Sequence, residues 1–297
     1  MSKKVKAEMF DTFEQTQINT SGATIHLVKG GEGFPLLLLH GYPETHLMWH
    51  KIAPRLAQEF SVVAPDLRGY GDSSKPESDP VHYNYSKRAM AQDMVEVMTQ
   101  LGYEEFFVVG HDRGARVGHR MALDHAQRVK KLAVLDIAPT YKMYMTADKA
   151  FATIYYHWFF LIQPYDLPER LIGSQPDYYL RTSLKRWSAD ADAFTPEVVE
   201  EYVRCFSHPA TIHATCEDYR ASATIDLLHD EADMSQRVMC PLLALWSAKG
   251  FVGHKYDVLE TWRERADNVS GGVIPGGHFL PEEAPEETYS ALQEFLI

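Results

Sequence analysis

The run Phe106-Phe107-Val108-Val109-Gly110-His111-Asp112-Arg113-Gly114-Ala115-Arg116 restricts this chain more than any other feature. Four apolar, strand-forming residues end in a glycine, and a second glycine follows four positions later. Such a segment reads as a buried strand that doubles back at once into a helix. The glycines remove side chains from a crowded, strained corner. Asp112 lies two residues from each. It is pushed out at the carboxyl end of the strand, where open α/β sheets bind ligands. The spacing is that of a nucleophile elbow, with Asp where many hydrolases carry Ser. An Asp in this place has another use, capping the following helix. The rest of the chain must decide between the two.

The other strand-like runs are placed to continue such a sheet. Short apolar stretches lie at 24–28, 35–39, 61–64, 132–135, 242–246 and 272–274, with helical patterns between several of them. After Ser86, the residues Met90, Met94, Val97, Met98 and Leu101 fall on one helix face, and Gly102 closes it. Pro285 opens a last helix, with Tyr289, Leu292, Phe295 and Leu296 pointing inward. This alternation predicts an α/β fold with a mostly parallel sheet covered by helices on both faces.

The stretch 140–223 departs from the pattern. It holds Tyr141, Tyr144, Phe151, Tyr155, Tyr156, Trp158, Phe159 and Phe160 at helical rather than strand spacing. It reads as a helical cap inserted between two sheet strands and covering a site. The core is then split into 1–139 and 224–297. Most of the cap aromatics are expected to fill its own core.

Charge narrows the partners. The 297 residues carry a formal net charge of -12, which disfavours a nucleic-acid backbone or an anionic membrane. An anionic substrate would therefore need a locally positive site. Cys205, Cys216 and Cys240 show no metal-ligand spacing, so neither a metal nor another cofactor is expected, and a reduced, cytoplasmic setting fits. The opening Met1-Ser2-Lys3-Lys4-Val5-Lys6 has no apolar run behind it and does not read as a signal peptide. No apolar run is long enough to span a bilayer. The subunit count is open, with room for a homodimer.

Three further pieces fall in the order that an elbow requires. Leu36-Leu37-Leu38-Leu39-His40-Gly41-Tyr42-Pro43 is a strand running into a turn. Its backbone N–H groups, that of Tyr42 included, can face the elbow and join the Arg113 N–H in an oxyanion hole. Asp136 ends the strand-like run at 132–135. Gly276-Gly277-His278-Phe279 follows the last strand, its glycines expected to let His278 turn towards the sheet edge. The chain order is nucleophile, acid, base. Asp257, beyond Trp246-Ser247-Ala248-Lys249-Gly250, is kept as a reserve acid. His278 is expected to have a pKa near neutrality.

With these pieces assembled, nearly the whole chain resembles the α/β-hydrolase superfamily. His40-Gly41-Tyr42-Pro43 and Asp66-Leu67-Arg68-Gly69-Tyr70-Gly71-Asp72-Ser73 look like its epoxide hydrolase and dehalogenase branch. The more specific resemblance is to fluoroacetate (haloacetate) dehalogenases. It rests on His111-Asp112-Arg113-Gly114-Ala115-Arg116, Tyr155-Tyr156-His157-Trp158, Glu217-Asp218-Tyr219-Arg220, Leu135-Asp136-Ile137-Ala138-Pro139-Thr140 and Gly277-His278-Phe279-Leu280-Pro281-Glu282-Glu283. The resemblance implies that Arg113 and Arg116 grip a substrate carboxylate. It implies that His157, Trp158 and Tyr219 bind the departing halide, and that Asp112, His278 and Asp136 are nucleophile, base and acid.

The chemistry fits those residue types. A carboxylate can displace halide and leave an ester that water then opens. Two arginines three residues apart share a helix face and can each offer a fork to one anion. An imidazole, an indole N–H and a phenol can replace the water around a small basic leaving group. The expected substrate is a small anionic haloacid, hydrolysed to glycolate and halide. An epoxide hydrolase is the alternative: it shares the Asp and His and would use lid tyrosines among Tyr155, Tyr156 and Tyr219.

Overall fold

The computed structural model describes residues 9–297; the opening segment considered above lies outside them. Eight strands form one sheet: β1 (Glu14–Asn19), β2 (Thr24–Gly30), β3 (Phe34–Leu39), β4 (Phe60–Pro65), β5 (Phe106–His111), β6 (Val129–Leu135), β7 (Leu242–Ser247) and β8 (Val269–Ile274). Their order is β1-β2-β4-β3-β5-β6-β7-β8. The strands from β4 to β8 in that order pair in parallel, while β1 and β2 join antiparallel at one edge.

Each strand expected from the sequence is present. The first one, β1, was not legible. Its residues Glu14, Gln15, Thr16, Gln17 and Asn19 are polar, and only Ile18 is apolar. It holds its place through the backbone ladder to β2 rather than by burying a side-chain face. The central strands behave in the opposite way. Leu36, Leu37, Leu38 and Leu39 of β3 and Val108 and Val109 of β5 are fully buried, because helices cover both sheet faces.

The helix Lys87–Gln100 starts where the sequence places it. The Ser86 hydroxyl caps it by accepting from the Ala89 N–H at 3.1 Å. Met90, Met94, Val97 and Met98 are fully buried on its inner face. At the other end of the chain, Pro285–Leu296 buries Tyr289, Leu292 and Leu296.

Between β6 and β7, which are neighbours in the sheet, the chain leaves the core and runs through helices from Thr140–Met145 to Ile225–Ala232. They cover the stretch 140–223 that the sequence reading takes as a helical cap, and Ile225–Ala232 lies beyond that bound. Phe151 and Trp158 are buried within this stretch, whereas Tyr155, Phe159 and Phe160 are half-buried against the core cluster. Among the described residues, no helix is long and apolar enough to cross a membrane.

Candidate active site

The elbow forms where β5 gives way to the helix Asp112–Asp124, and Asp112 takes a left-handed φ of 43°. The flanking glycines are required by close approach. A Cβ on Gly110 would lie 2.6 Å from the Ala115 nitrogen, and one on Gly114 would lie 2.4 Å from the Leu39 carbonyl oxygen. The register of β3 on β5, with Leu39 opposite Gly110, carries the His40–Pro43 turn alongside. The Tyr42 N–H donates to Asp112 Oδ1 at 3.1 Å. Asp112 is also the first residue of its helix, where unpaired N–H groups and the helix dipole favour negative charge. Burial alone would push its carboxyl up. The charges of His278, Arg116 and Arg113 outweigh burial and hold it down at about 2.

His278 and Asp136 meet behind it. Asp136 follows β6 with a φ of 51°, and its Oδ2 lies 2.6 Å from His278 Nδ1. Its other oxygen accepts the Ser247 N–H at 2.9 Å, at the end of β7. Asp257 does something else. It is exposed and caps the helix Val258–Arg263 by accepting from the Glu260 N–H at 3.1 Å. The reserve acid is therefore set aside on geometry.

Two expectations about His278 need correction. Its imidazole is not near neutrality: although burial lowers its pKa, Asp136 and Asp112 raise it to about 9. The glycines before it do not supply a turn through left-handed backbone, since neither Gly276 nor Gly277 has positive φ. Gly277 is needed for proximity instead. A Cβ there would lie 2.3 Å from the Ala189 nitrogen in the cap and 2.7 Å from Glu283 Oε1.

Both arginines are buried beside Asp112, but neither presents a whole fork. Arg113 spends Nε and Nη2 on Asp218, at 3.0 and 2.7 Å, and Nη2 also reaches the Ser222 hydroxyl at 2.5 Å. Arg116 spends Nη1 on the Ala138 carbonyl and the Thr140 hydroxyl, both at 3.0 Å, and Nη2 on the Met143 sulfur. What remains is Nη1 of Arg113 and Nε of Arg116, each buried without a hydrogen-bond partner. Each guanidinium therefore keeps one nitrogen wholly unpaired. A buried guanidinium needs a partner or a ligand, and the sequence reading missed Asp218 in that role. Asp218 also accepts from the Tyr70 hydroxyl at 2.6 Å and pairs with Lys87.

The cap lowers aromatic residues onto this centre. His157, Trp158 and Tyr219 are all buried, with His157 and Tyr219 ring centres 5.7 Å apart and Trp158 and Tyr219 6.4 Å apart. Burial lowers the His157 pKa to about 3, so its ring is neutral at physiological pH. Its Nδ1 is buried without a partner. Arg113 stacks over the Tyr219 ring at 4.1 Å and Arg116 over Trp158 at 4.8 Å, which joins the two arginines to the aromatic group. Trp187 also belongs here and was missed. Its ring lies 4.4 Å from His157 and 6.1 Å from Tyr42, and its Nε1 is buried without a partner. Nothing in the sequence distinguishes it from another aromatic at a helix end. Tyr155 adds a hydroxyl raised by burial and by the charges of Asp136 and Asp112. Of the three lid tyrosines considered, Tyr155 and Tyr219 sense Asp112.

Residues 35–285 match the sequence profile of the alpha/beta hydrolase fold. The chain belongs to the α/β-hydrolase family. It is 47% identical over 289 residues to a fluoroacetate dehalogenase from Burkholderia sp, covering 97% of this chain and 95% of that protein. It is 36% identical over 282 residues to a soluble epoxide hydrolase from Corynebacterium sp. (strain C12), covering 93% of each. Among solved structures, a protein from Nostoc sp PCC 7120 assigned to the alpha/beta hydrolases is similar, with a TM-score of 0.96 and 69% identity over 97% of this chain and 99% of that one.

Proposed function

We propose that this α/β-hydrolase converts haloacetates to glycolate and halide through an ester on Asp112. The observation that carries the reading is the pair of unpaired N–H donors, Arg113 Nη1 and Arg116 Nε, buried beside a nucleophile-elbow carboxylate. A neutral substrate would leave them unanswered, whereas a substrate carboxylate satisfies both. The similarity to a fluoroacetate dehalogenase supports the same substrate class.

In the first step, an oxygen of Asp112 forms a bond to the α-carbon as the carbon–halogen bond breaks. His157, the Trp158 indole N–H and the Tyr219 hydroxyl receive the halide. Tyr42 N–H on Oδ1 suits Oδ1 to remain the carbonyl oxygen, with Oδ2 attacking. In the second step, water adds to the Asp112 carbonyl carbon and the charge on Oδ1 is met by the Tyr42 N–H, with the Arg113 N–H as the second donor of this reading. His278 takes the water proton while Asp136 steadies the imidazolium. The ester bond on the carbonyl side breaks, the proton left on the added hydroxyl passes to the departing alkoxide, and glycolate leaves with an oxygen from Asp112 while the carboxylate is restored.

The high pKa of His278 has a use in this sequence. In the resting protein, the Asp112 charge helps keep the imidazole protonated. Ester formation removes that charge, which loosens the ring's hold on its proton and raises the share of neutral imidazole able to act as a base. Turnover then yields one halide and one proton per haloacetate.

Fluoride- and chloride-selective electrodes with the purified protein test the reaction. Halide release matched by glycolate is the expected result. One turnover in 18O-water should leave the first glycolate unlabelled; label in it would refute the ester route. A second reading, epoxide hydrolysis, is favoured by Tyr155 and Tyr219 beside Asp112 and by the Corynebacterium relative. Diol formation from epoxides without halide release would establish it instead.

A further inference from the structure

The loop that carries His278 is held by a carboxylate five residues further on. Glu283 Oε2 accepts the Gly277 N–H at 2.9 Å, and Oε1 accepts the Phe279 N–H at 3.0 Å. These are the amides on either side of His278. The same carboxylate reaches into the cap, where Oε2 accepts the Ala189 N–H at 2.6 Å and the Asp190 N–H at 3.1 Å. Four backbone donors from two separate segments thus converge on one side chain. A carboxylate suits this task, since it accepts at both ends and donates nothing.

A second link runs beside it. The His278 N–H donates to the Trp187 carbonyl at 3.0 Å, and Trp187 ends the cap helix Pro176–Trp187 just before Ala189. The Trp187 ring meanwhile packs on His157 and Tyr42 within the site. The stretch from Trp187 to Asp190 therefore contributes an aromatic wall to the site and backbone contacts to the base loop. At Gly277 the neighbouring backbone leaves no room for a side chain, since a Cβ there would run into the Ala189 nitrogen. Glu283 also lies in the first turn of the short helix Leu280–Glu283, where its hold on the Phe279 N–H helps to cap the helix start, but capping does not call for its reach to Ala189 and Asp190.

We propose that Glu283 is a positioning residue that locks the His278 loop to the cap, so that the base is placed for ester hydrolysis only when the cap is seated. This rests on the two-step reading above. The two steps separate the role from plain structural support. Alkylation of Asp112 needs the arginines and the halide donors but not the base. Hydrolysis needs His278 placed on a water. Loosening the loop should therefore slow the second step alone, because modest misplacement of a catalytic group costs about 10²-fold in rate.

The test uses Glu283→Gln in the full chain, with wild type and His278→Asn beside it. The glutamine amide keeps one acceptor and turns an N–H2 group towards the remaining backbone donors. The expected result is a rapid burst of about one equivalent of halide, then turnover slowed by about tenfold to a hundredfold. The intact mass of the variant should show a carboxymethyl adduct, as His278→Asn should. Glu283→Asp, with its shorter reach, should fall between.

Hydrogen exchange supplies a readout independent of activity. The amides of Gly277 and Phe279 and those of Ala189 and Asp190 should lose protection together in Glu283→Gln. Equal slowing of both steps, or lost protection on one segment only, would overturn the proposal. So would His278→Asn trapping the ester while Glu283→Gln turns over at the wild-type rate. Failure of the ester reading itself would look different: wild type would release no halide and His278→Asn would hold no adduct.

Discussion

Replacing Asp112 by Asn should lower the pKa of His278, and the size of the change tests the electrostatics of the site. His278 is raised from 6.5 to about 9 against the cost of burial. That rise amounts to about 3 kcal/mol of net preference for the imidazolium. It comes first from the hydrogen bond and charge of Asp136, then from Asp112 and Glu44. An opposite charge close by moves a pKa by about 1 to 3. Asp112 ranks behind Asp136, so the low end applies and His278 in Asp112→Asn should titrate near about 8. Asn has nearly the shape of the carboxylate without its charge, and so stands in for the neutral ester.

Long-range 1H–15N NMR of the His278 ring between pH 6 and pH 10 reads the value directly. Stability offers a second measure, and its sign follows from the direction of the shift. A group whose folded pKa is raised stabilises fully below its unfolded pKa, and that contribution is lost as pH rises through the folded value. For His278 the window runs from 6.5 to about 9, and urea denaturation of wild type should lose up to about 3 kcal/mol from this group across it. The variant should lose about 1 kcal/mol less. A His278 pKa in Asp112→Asn that equals or exceeds the wild-type value would refute the reasoning, and with it the idea that ester formation frees the base.

Two further substitutions probe the anion site and the elbow. Arg116→Ala removes one of the two unpaired donors and should lower kcat/KM for chloroacetate by about 10² or more, as expected for a buried charge-assisted contact of a few kcal/mol; an uncharged haloalkane accepted by the protein should lose much less, and equal losses would remove the carboxylate role. Gly114→Ala drives a methyl to 2.4 Å from the Leu39 carbonyl oxygen and should destabilise the fold by about 3 kcal/mol or prevent expression; a thermal melt within a degree of wild type would show that the elbow has slack.

The elbow was legible because its glycines mark it in sequence. Gly110 makes room for its own helix at Ala115, whereas Gly114 makes room for the Leu39 carbonyl of β3, a tertiary neighbour that the spacing does not name. The strands β3, β5, β6 and β7 were legible for a related reason: buried on both faces, they read as unbroken apolar runs. The strand β1 was not, because an edge strand held by backbone hydrogen bonds leaves no apolar record. The choice between Asp136 and Asp257 shows the same limit within the site. Both follow sheet strands, and only the packing of β6 against β7 brings one of them to His278 while leaving the other to cap a helix.

By itself, then, the sequence determined the mostly parallel sheet and the turn that displays Asp112, and it offered charged and aromatic groups as candidates for a site. Tertiary structure decided how those groups are spent. It left one nitrogen unpaired on each guanidinium, because Asp218, Ser222, Thr140, the Ala138 carbonyl and the Met143 sulfur engage the other nitrogens. It raised His278 well above neutrality by placing Asp136 and Asp112 against it. It tied the base loop to the cap through Glu283 and Trp187. The division has one physical cause. The patterns that mark strands and turns are written in neighbours along the chain, whereas a buried charge takes its pKa and its free hydrogen bonds from whatever the folded chain packs around it.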